Sequence, residues 1–287
     1  MVIGNWSFVI GNWMKGISLH SVVPVRTEAR EGAEQSTQML FGELCEIIES
    51  QEPRANSRWL RVKLENDGQE GWVDEKMICP MKPEEYESYK ASLASFAIVT
   101  FPVAYAVSEN NGQTIPLPAG TRLAHYQVQT ANGASSARFE VLGVGFRIEP
   151  SMVTTAPLTL NEQNLLQTVR FFLNTPYLWG GKNALGMDCS GFTQVIMSLF
   201  GRQLLRNASE QATQGQSVRD LKSARAGDLA FFDHEDGKIS HVGLIIDAER
   251  IIHCSGRVKV EKLDETGIFN TETGEYSHHL VQIRRIK

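Results

Sequence analysis

The first part of the chain alternates short apolar runs with polar turns. These runs favour β-strands because they are only a few residues long and rich in β-branched and aromatic residues. A turn at Glu65–Gly68 contains glycine and precedes the last of them. Short strands at this close spacing are typical of a small β-barrel, which we predict for residues 15–80. The predicted strands are Ser21–Arg26, Leu44–Ile48, Trp59–Leu64 and Gly71–Val73.

A polar stretch then separates this barrel from a second region of similar texture. Residues 81–94 form the predicted linker, and Lys82–Ser92, with Pro83 near its start, has the pattern of a helix. Residues 95–153 repeat the short apolar runs and predict a second small barrel, with turns or separators at Asn110–Gly112 and Pro116–Gly120. Its predicted strands are Phe96–Val107, Thr121–Val128 and Arg138–Val144.

Residues 157–287 change to helices followed by strands, which predicts an α+β domain. Thr159 and Glu162 have the spacing of a capping box, and the apolar residues after them share one helical face (Leu165, Leu166, Val169, Phe172 and Leu173). A second amphipathic helix begins near Cys189 and stops at Gly201. The predicted strands are Asp228–Phe232, His241–Ile246, Arg250–Cys254 and His279–Ile283.

Charge and hydropathy narrow the classes of partner. The 287 residues carry a formal net charge of -5, which argues against a nucleic-acid partner because phosphate binding needs a basic surface. No apolar run approaches the roughly 18 residues of a membrane span, so no membrane partner is expected. Residues 1–15, with Ile-Gly-Asn-Trp twice, lack the pattern of a secretory signal. We expect a cytoplasmic protein; the alternative is a periplasmic or wall-associated one whose export signal was removed.

Cys189 is the strongest candidate for a reactive residue among the four cysteines. No pair of cysteines has the C-x-x-C spacing of a zinc knuckle or a thioredoxin motif. Cys45 and Cys79 lie in apolar contexts and are predicted to be buried, inert thiols. Cys189 follows a glycine-rich loop at a helix start, where free N–H groups and the helix dipole favour a thiolate. We therefore predict that Cys189 is a nucleophile.

Two histidines on a predicted hairpin supply a base and its orienting partner. His241 opens one strand, His253 closes the next, and Asp247–Glu249 supplies the turn. The two histidines are an even number of positions apart, so a loop of odd length places them on one face, whereas a two-residue loop would place them on opposite faces. Cys254 directly follows His253, so it should point to the face opposite His253 and have a structural role. The remaining histidines are interpreted as surface or turn residues (His20, His125, His234, His278 and His279).

A zinc site is the alternative for the same residues. Cys189, His241 and His253 are a plausible ligand set, but no fourth ligand has suitable spacing. Asp228 could come close enough in the folded chain to be the fourth zinc ligand, yet its position after Gly227 favours a turn-capping carboxylate. We therefore predict neither a metal nor an organic cofactor.

Taken together, these motifs resemble the NlpC/p60 cysteine peptidases, a papain-like group, over residues 157–287. The resemblance implies that Cys189 attacks an amide carbonyl, that His241 exchanges the proton and that His253 fixes the ring of His241. It implies that Tyr177 helps to hold the oxyanion. It also implies an acyl-side pocket lined by Trp179, Asp188 and Ser190. The motifs are Pro176–Gly181, Asp188–Phe192, Ala226–Leu229, His241–Gly243 and Ile252–His253.

Two SH3-like barrels before the peptidase are similar to the branch of this family that trims short muropeptides. That branch cleaves after γ-D-glutamate in L-Ala-γ-D-Glu-(L-Lys or diaminopimelate) and requires a free N-terminal L-Ala. The segment from Val23–Arg26 to Met39–Glu43 resembles the barrel that binds this amine, and Glu34 is the implied amine-binding residue. Two positions depart from the family pattern. Gln69 stands where a tyrosine is expected, and Asn207 stands where the family commonly has aspartate.

The sequence therefore predicts an α+β papain-like cysteine endopeptidase preceded by two SH3-like barrels. Its expected partner is a small peptidoglycan-derived peptide, and both L-lysine and diaminopimelate remain candidates for the diamino acid. Oligomeric state stays open. The alternatives are an amidase or acyltransferase on the same scaffold, and a wall-binding protein whose third domain is inert.

Overall fold

The computed structural model describes residues 14–51, 57–95, 97–131, 134–233 and 237–287. The repeated Ile-Gly-Asn-Trp segment and His234 lie outside these residues.

The helices are α1 (Pro83–Ser92), α2 (Glu162–Val169), α3 (Cys189–Leu199) and α4 (Ala208–Gln211), with short 3₁₀ turns at Glu75–Met77, Pro150–Met152 and Leu221–Ser223. The strands are β1 (Met14–Ser18), β2 (Val22–Arg26), β3 (Gln35–Leu40), β4 (Leu44–Ser50), β5 (Trp59–Leu64), β6 (Glu70–Asp74), β7 (Ile78–Met81), β8 (Ile98–Val99), β9 (Val103–Ser108), β10 (Thr114–Pro118), β11 (Gln127–Ala131), β12 (Ala134–Val141), β13 (Val144–Ile148), β14 (Val153–Thr154), β15 (Lys182–Asn183), β16 (Gly186–Met187), β17 (Gln216–Val218), β18 (Leu229–Asp233), β19 (His241–Ile245), β20 (Arg250–Ser255), β21 (Arg257–Leu263), β22 (Gly267–Asn270) and β23 (Glu275–Arg285).

The first seven strands form one antiparallel sheet in the order β3-β2-β6-β5-β4-β1-β7. The four strands predicted from the apolar runs are confirmed as β2, β4, β5 and β6. The apolar pattern does not indicate β1, β3 or β7, because polar residues, glycine or proline interrupt them. The core of this barrel includes Val23, Met39, Val62 and Val73.

The cysteines of the first barrel differ in exposure. Cys45 is fully buried, and burial raises the pKa of its thiol to about 12, which confirms the inert thiol predicted there. The prediction of burial is wrong for Cys79, which is partly exposed near the sheet edge in β7. Partial burial still raises its pKa above the ordinary value.

The predicted linker helix is present as α1, and it joins the two barrels through a shared apolar core. Most of α1 is polar and faces solvent, since its buried residues are Tyr86 and Tyr89. These two rings pack with apolar side chains of both barrels, including Phe41, Leu44, Phe139 and Phe146. The two barrels are therefore packed against each other through α1.

The second sheet has the order β10-β9-β13-β12-β11, and β8 pairs separately with β14. The prediction that Pro116–Gly120 separates two strands is wrong, because residues 114–118 form β10. Both prolines fit there, since β10 is an edge strand and lacks a neighbour on one side. The predicted strand Thr121–Val128 is also wrong, because regular pairing begins only at Gln127.

Two other predicted strands of this region are interrupted. The run Arg138–Val144 is a hairpin in which β12 turns into β13 at Leu142 and Gly143, both with positive φ. The run Phe96–Val107 divides into β8 and β9 around Pro102, which has no N–H to donate to a ladder. The pattern located the apolar residues, but proline and the positive-φ turn determine where the strands end.

The last sheet closes on itself and carries the helices on its outer face. Its order is β17-β23-β18-β19-β20-β21-β22, and the long strand β23 also pairs with β22. Ile245 and Ile251 point into the closed sheet with other apolar side chains. Alternate residues such as Val242, Leu244 and Ile252 point outward and pack against α3.

The first helix of this domain begins two residues later than its predicted cap. Asn161, not Thr159, is the N-cap, and its side chain accepts the N–H of Asn164 at 2.8 Å. The helix ends at Val169, so Phe172 is buried beyond it while Leu173 is exposed. Among the described residues, no helix combines the length and apolar character that a membrane span requires.

The first barrel docks onto the peptidase domain through polar contacts. The side-chain oxygen of Gln38 accepts the N–H of Lys182 at 2.9 Å and the side-chain N–H of Asn183 at 2.8 Å. The ammonium of Lys182 is 3.0 Å from Glu43, and both side chains are largely buried. These contacts hold the barrel beside the glycine-rich loop that precedes α3.

Candidate active site

The start of α3 is held in place by its cap and by the preceding loop. α3 begins at Cys189, and the carboxylate of the N-cap residue Asp188 accepts the N–H of Gly191 at 2.7 Å. A Cβ atom on residue 191 would lie 2.1 Å from the carbonyl oxygen of Gly181, so only glycine permits this close approach. The predicted position of Cys189 at the helix start is confirmed, and its side chain is 6% exposed.

Asp188 and Ser190 hydrogen-bond mainly to other protein groups. Arg206, which is 1% exposed, donates to both carboxylate oxygens of Asp188 at 3.1 and 2.6 Å. It also donates to the hydroxyl of Ser190 at 2.9 Å and to Thr37 of the first barrel at 2.7 Å. The N–H of Gly180 donates to Asp188 at 2.9 Å. Sequence reasoning missed Arg206, whose guanidinium joins the barrel to the start of α3.

Opposing influences set the protonation of the Cys189 thiol. Burial, and then the Asp188 carboxylate, raise its pKa from 9.0 to about 11. The backbone N–H groups of Val242 and Ser190 and the charge of Arg206 act in the opposite direction. The helix start favours the thiolate, as expected, but burial and the Asp188 carboxylate act more strongly in the opposite direction. Their combined effect favours the protonated thiol, so a base has to remove its proton during reaction.

This protonation state predicts how Cys189 reacts with iodoacetamide. Since only the thiolate reacts, the alkylation rate should rise about tenfold per pH unit between pH 7 and 10, without a plateau. Peptide mapping by mass spectrometry would follow Cys189 separately from the partly exposed Cys79. A rate that is already constant below pH 7.5 would show instead a thiolate stabilised at rest.

The hairpin places the two predicted histidines on one face. Gly243 pairs with His253 across β19 and β20, and the N–H of Ile246 bonds to the carbonyl of Arg250, so the loop is three residues long. His241 is therefore the diagonal neighbour of His253, as predicted for an odd loop. Nε2 of His241 and Nδ1 of His253 are 2.8 Å apart, and His253 is fully buried.

A third histidine was misassigned from the sequence. His278 was expected at the surface or in a turn, but it is buried on β23 and stacks on His241 with ring centroids 4.1 Å apart. The ring of His253 meets His241 edge-on at 5.0 Å. The rings of His253 and His278 thus contact the His241 ring from different sides and restrict its orientation. The pairing of β23 with β18, which brings His278 here, depends on tertiary structure and has no local sequence signal.

Glu261 forms a hydrogen bond with the buried member of the histidine pair. Its Oε2 lies 2.7 Å from Nε2 of His253 and 3.0 Å from the ammonium of Lys259. Sequence reasoning did not find it, although Val-Lys-Val-Glu-Lys-Leu at residues 258–263 alternates as a strand does. Gly256 alone separates β20 from β21, and Glu261 is an even number of positions from His253. This parity could have placed both residues on one face.

Cys189 and His241 share a cavity of about 630 Å³ with several of the predicted residues. The backbone N–H of Val242, the residue directly after His241, lowers the pKa of the Cys189 thiol, and both Cys189 and His241 line the cavity. Burial, followed by Cys189 and Asp188, raises the pKa of Tyr177, so its hydroxyl remains a donor. The lining includes Ser36 from the first barrel, together with Tyr177, Trp179, Asp188, Cys189, Ser190, Asn207, His241, Cys254 and His278.

The residues implied in amine binding adjoin the cavity through Trp179 and Asn207, which line it. Glu34 is exposed, and its Oε1 accepts the indole N–H of Trp179 at 2.6 Å. The two positions that depart from the family pattern contact each other, since the Asn207 amide donates to Gln69 at 3.3 Å. The same amide donates to Glu210 at 3.0 Å. Glu34 and Glu210 therefore each bond to a residue that lines the cavity, Trp179 and Asn207 respectively.

The alternative of a zinc site finds no support in this geometry. Nε2 of His241 and Nδ1 of His253 bond to each other, and Asp228 is engaged by Arg285 and by the turn that it caps. Within the described ranges, no group of three or more His, Cys, Asp or Glu is arranged to hold a metal ion. Cys254 is buried on the opposite face to His253, as predicted, and its thiol donates to the carbonyl of Met187 at 3.1 Å.

Two family models match the chain. Residues 174–284 match the NlpC/P60 family, and residues 25–78 match the bacterial dipeptidyl-peptidase Sh3 domain. The first match covers α3 and the strands that carry the histidines, and the second covers most of the first barrel.

Curated relatives match across both regions. A gamma-D-glutamyl-L-lysine dipeptidyl-peptidase of Bacillus subtilis (strain 168) is 30% identical over 226 residues, which are 76% of this chain and 71% of that protein. A protein of the same name from Bacillus cereus is 27% identical over 235 residues, covering 76% of this chain and 66% of the relative.

Solved structures show the same fold. A crystal structure of an NlpC/P60 family protein from Bacillus cereus superposes with a TM-score of 0.75 at 21% identity, covering 94% of this chain and 99% of that one. An NlpC/P60 endopeptidase from Photobacterium damselae gives 0.64 at 16% identity, covering 93% of this chain and 70% of that one. The predicted fold class, SH3-like barrels before an α+β papain-like domain, is confirmed.

Proposed function

Because this chain belongs to the NlpC/P60 family of cysteine peptidases, we propose that it hydrolyses the γ-D-glutamyl–L-diamino acid bond of small cell-wall peptides. The peptide carries a free N-terminal L-alanine, and the diamino acid is L-lysine or diaminopimelate. One observation carries the proposal: Cys189 and His241, whose ring bonds to the buried His253, line one cavity to which the first barrel contributes Ser36. A cavity walled by a second domain suits a short peptide.

Each step of the proposed reaction is assigned to a residue of the site. His241 removes the thiol proton while the Cys189 sulfur bonds to the γ-carbonyl carbon of the glutamyl residue. The oxyanion is held by N–H groups at the start of α3 and by the hydroxyl of Tyr177. The C–N bond then breaks as His241 returns the proton to the leaving amine. Water attacks the thioester while His241 takes its proton. The C–S bond then breaks, His241 returns the proton to the Cys189 sulfur, and the free dipeptide leaves.

Glu34 is the proposed partner of the L-alanine ammonium. The indole of Trp179 binds one of its carboxylate oxygens, and a carboxylate has capacity for further donors. This hydrogen bond directs the negative charge of Glu34 to the cavity rim. Asn207 and Gln69 offer only neutral groups at the positions of the two departures, so the charge for amine recognition has to come from carboxylates such as Glu34.

Free-amine recognition is tested with L-Ala-γ-D-Glu-L-Lys and its N-acetyl form. A hydrogen bond to a charged group contributes about 1.5–3 kcal/mol, so acetylation should lower kcat/KM at least about tenfold. Glu34→Gln should lower kcat/KM for the free peptide and leave the acetylated one unchanged. Glu28→Gln, on the same barrel but paired with Arg30, is the control and should change neither.

The products separate this proposal from its alternatives. Mass spectrometry should detect free L-Ala-D-Glu and the diamino acid. Release of other fragments or an acyl-transfer product would replace the proposal with an amidase or acyltransferase. Binding of the peptide without turnover would indicate a wall-binding module.

A further inference from the structure

Glu261 occupies a position that no step of the proposed reaction uses. The register pairs His253 with Lys259 and Ile251 with Glu261, so these side chains share the inner face of the closed sheet. The side chain of Glu261 is 9% exposed, and that of His253 is 0% exposed. A carboxylate buried this far requires strong partners, and its two are the imidazole of His253 and the ammonium of Lys259.

Burial and neighbouring charges together favour one charge state for each of these groups. Burial disfavours the ionised form of Glu261, but hydrogen bonds from His253 and Lys259 outweigh it and lower the pKa. Burial lowers the pKa of His253 below 6.5, against the opposing effect of Glu261. Glu261 is therefore a carboxylate, and His253 is a neutral imidazole.

These charge states fix the position of each proton. A carboxylate can only accept, so Nε2 of His253 carries the hydrogen that Glu261 accepts. A neutral imidazole has one N–H, which leaves Nδ1 of His253 as an acceptor. The 2.8 Å contact therefore requires that Nε2 of His241 donates to Nδ1 of His253. In the neutral ring of His241, Nδ1 is then unprotonated.

We propose that Glu261 is a positioning residue that sets the tautomers of both histidines, so that Nδ1 of His241 is the basic atom of the site. The inference rests on the proposed function for its consequence in catalysis, but the tautomers can be measured without turnover. When Nδ1 of His241 takes the proton of Cys189, the ring becomes a cation and keeps its Nε2–H donated to His253. Glu261 remains ionised throughout and stabilises that cation through His253.

The tautomers are read from ¹⁵N-labelled histidine in the full chain by NMR. In the wild type, both His241 and His253 should be protonated at Nε2 and unprotonated at Nδ1. A protonated Nδ1 on either ring would overturn the proposal without any variant.

Glu261→Leu removes the acceptor of the His253 N–H. The proton should then move to Nδ1 of His253, which makes Nε2 of His241 the acceptor and blocks Nδ1 with a proton. We expect kcat to fall about 10²-fold or more with KM little changed, the range for a lost acid–base function. Glu261→Gln keeps an acceptor oxygen, and its tautomers and most of its kcat should be retained.

A control variant separates positioning from general damage. Glu249→Gln removes an exposed carboxylate from the neighbouring hairpin loop. It should keep the wild-type tautomers and kcat within about threefold. Unchanged tautomers in a folded Glu261→Leu variant would refute the inference. If the wild type shows the expected tautomers but does not cleave the tripeptide, the proposed function fails and the positioning role stands.

Discussion

Replacing Cys189 with alanine is expected to lower the rate of L-Ala-D-Glu release by about 10⁴–10⁶-fold, the loss seen when an enzyme's nucleophile is removed. The base and its partner cannot compensate, because His241 and His253 only move and orient a proton. The hydrogen bonds of Asp188 do not involve the sulfur, and the other residues that line the cavity are unchanged, so the variant should still bind the peptide. Product release by mass spectrometry and peptide binding by calorimetry measure the two effects separately.

Cys79→Ala is the matched control for this variant. Cys79 is a partly exposed cysteine of the first barrel, in β7 and outside the cavity lining, so its replacement should leave turnover unchanged. If Cys189→Ala kept a tenth or more of wild-type activity, the sulfur would not be the nucleophile. Loss of both activity and binding would point to a damaged fold.

The second large effect concerns Arg206. Arg206→Met leaves the Asp188 carboxylate buried without its countercharge, which typically destabilises a protein by about 3–5 kcal/mol. It also removes the hydrogen bond to Thr37, so the barrel and the peptidase domain should separate more readily. The urea midpoint, followed by tryptophan fluorescence, measures the loss because Trp179 and Trp59 lie in different domains.

Two comparisons test the explanation for Arg206. Arg219→Met removes an exposed guanidinium that pairs with its neighbour Asp220, and its urea midpoint should not change. Adding Asp188→Asn to Arg206→Met should recover part of the lost stability, because the double variant leaves no unpaired buried charge. A midpoint for Arg206→Met equal to that of Arg219→Met would contradict the assigned role.

The candidate reacting groups could be predicted from the sequence because their signals are local. A glycine-rich loop, a capping aspartate and an apolar helical stripe are enough to place Cys189 at a helix start. The parity of His241 and His253 about a three-residue turn is enough to place them on one face. Neither inference required knowledge of the tertiary packing.

The remaining parts of the site depend on burial and on distant partners. The protonation of Cys189 could not be predicted, because desolvation outweighs the helix start only once the domain is folded. Arg206 and His278 are brought in by contacts between elements that are far apart in sequence. In the second barrel, strand limits depend on Pro102 and on the positive-φ turn at Leu142, which interrupt otherwise continuous apolar runs.

The docking of the first barrel through Gln38 has a consequence for how such proteins diversify. One amide oxygen receives two donors from residues 182 and 183, so the match between the domains is directional and would not tolerate an arbitrary substitute. A chimera that exchanged the barrel alone would place other side chains opposite Lys182 and Asn183, and their hydrogen bonds to the barrel would be lost. The segment that can be inherited as a unit is the barrel together with the loop it recognises, although they are more than a hundred residues apart.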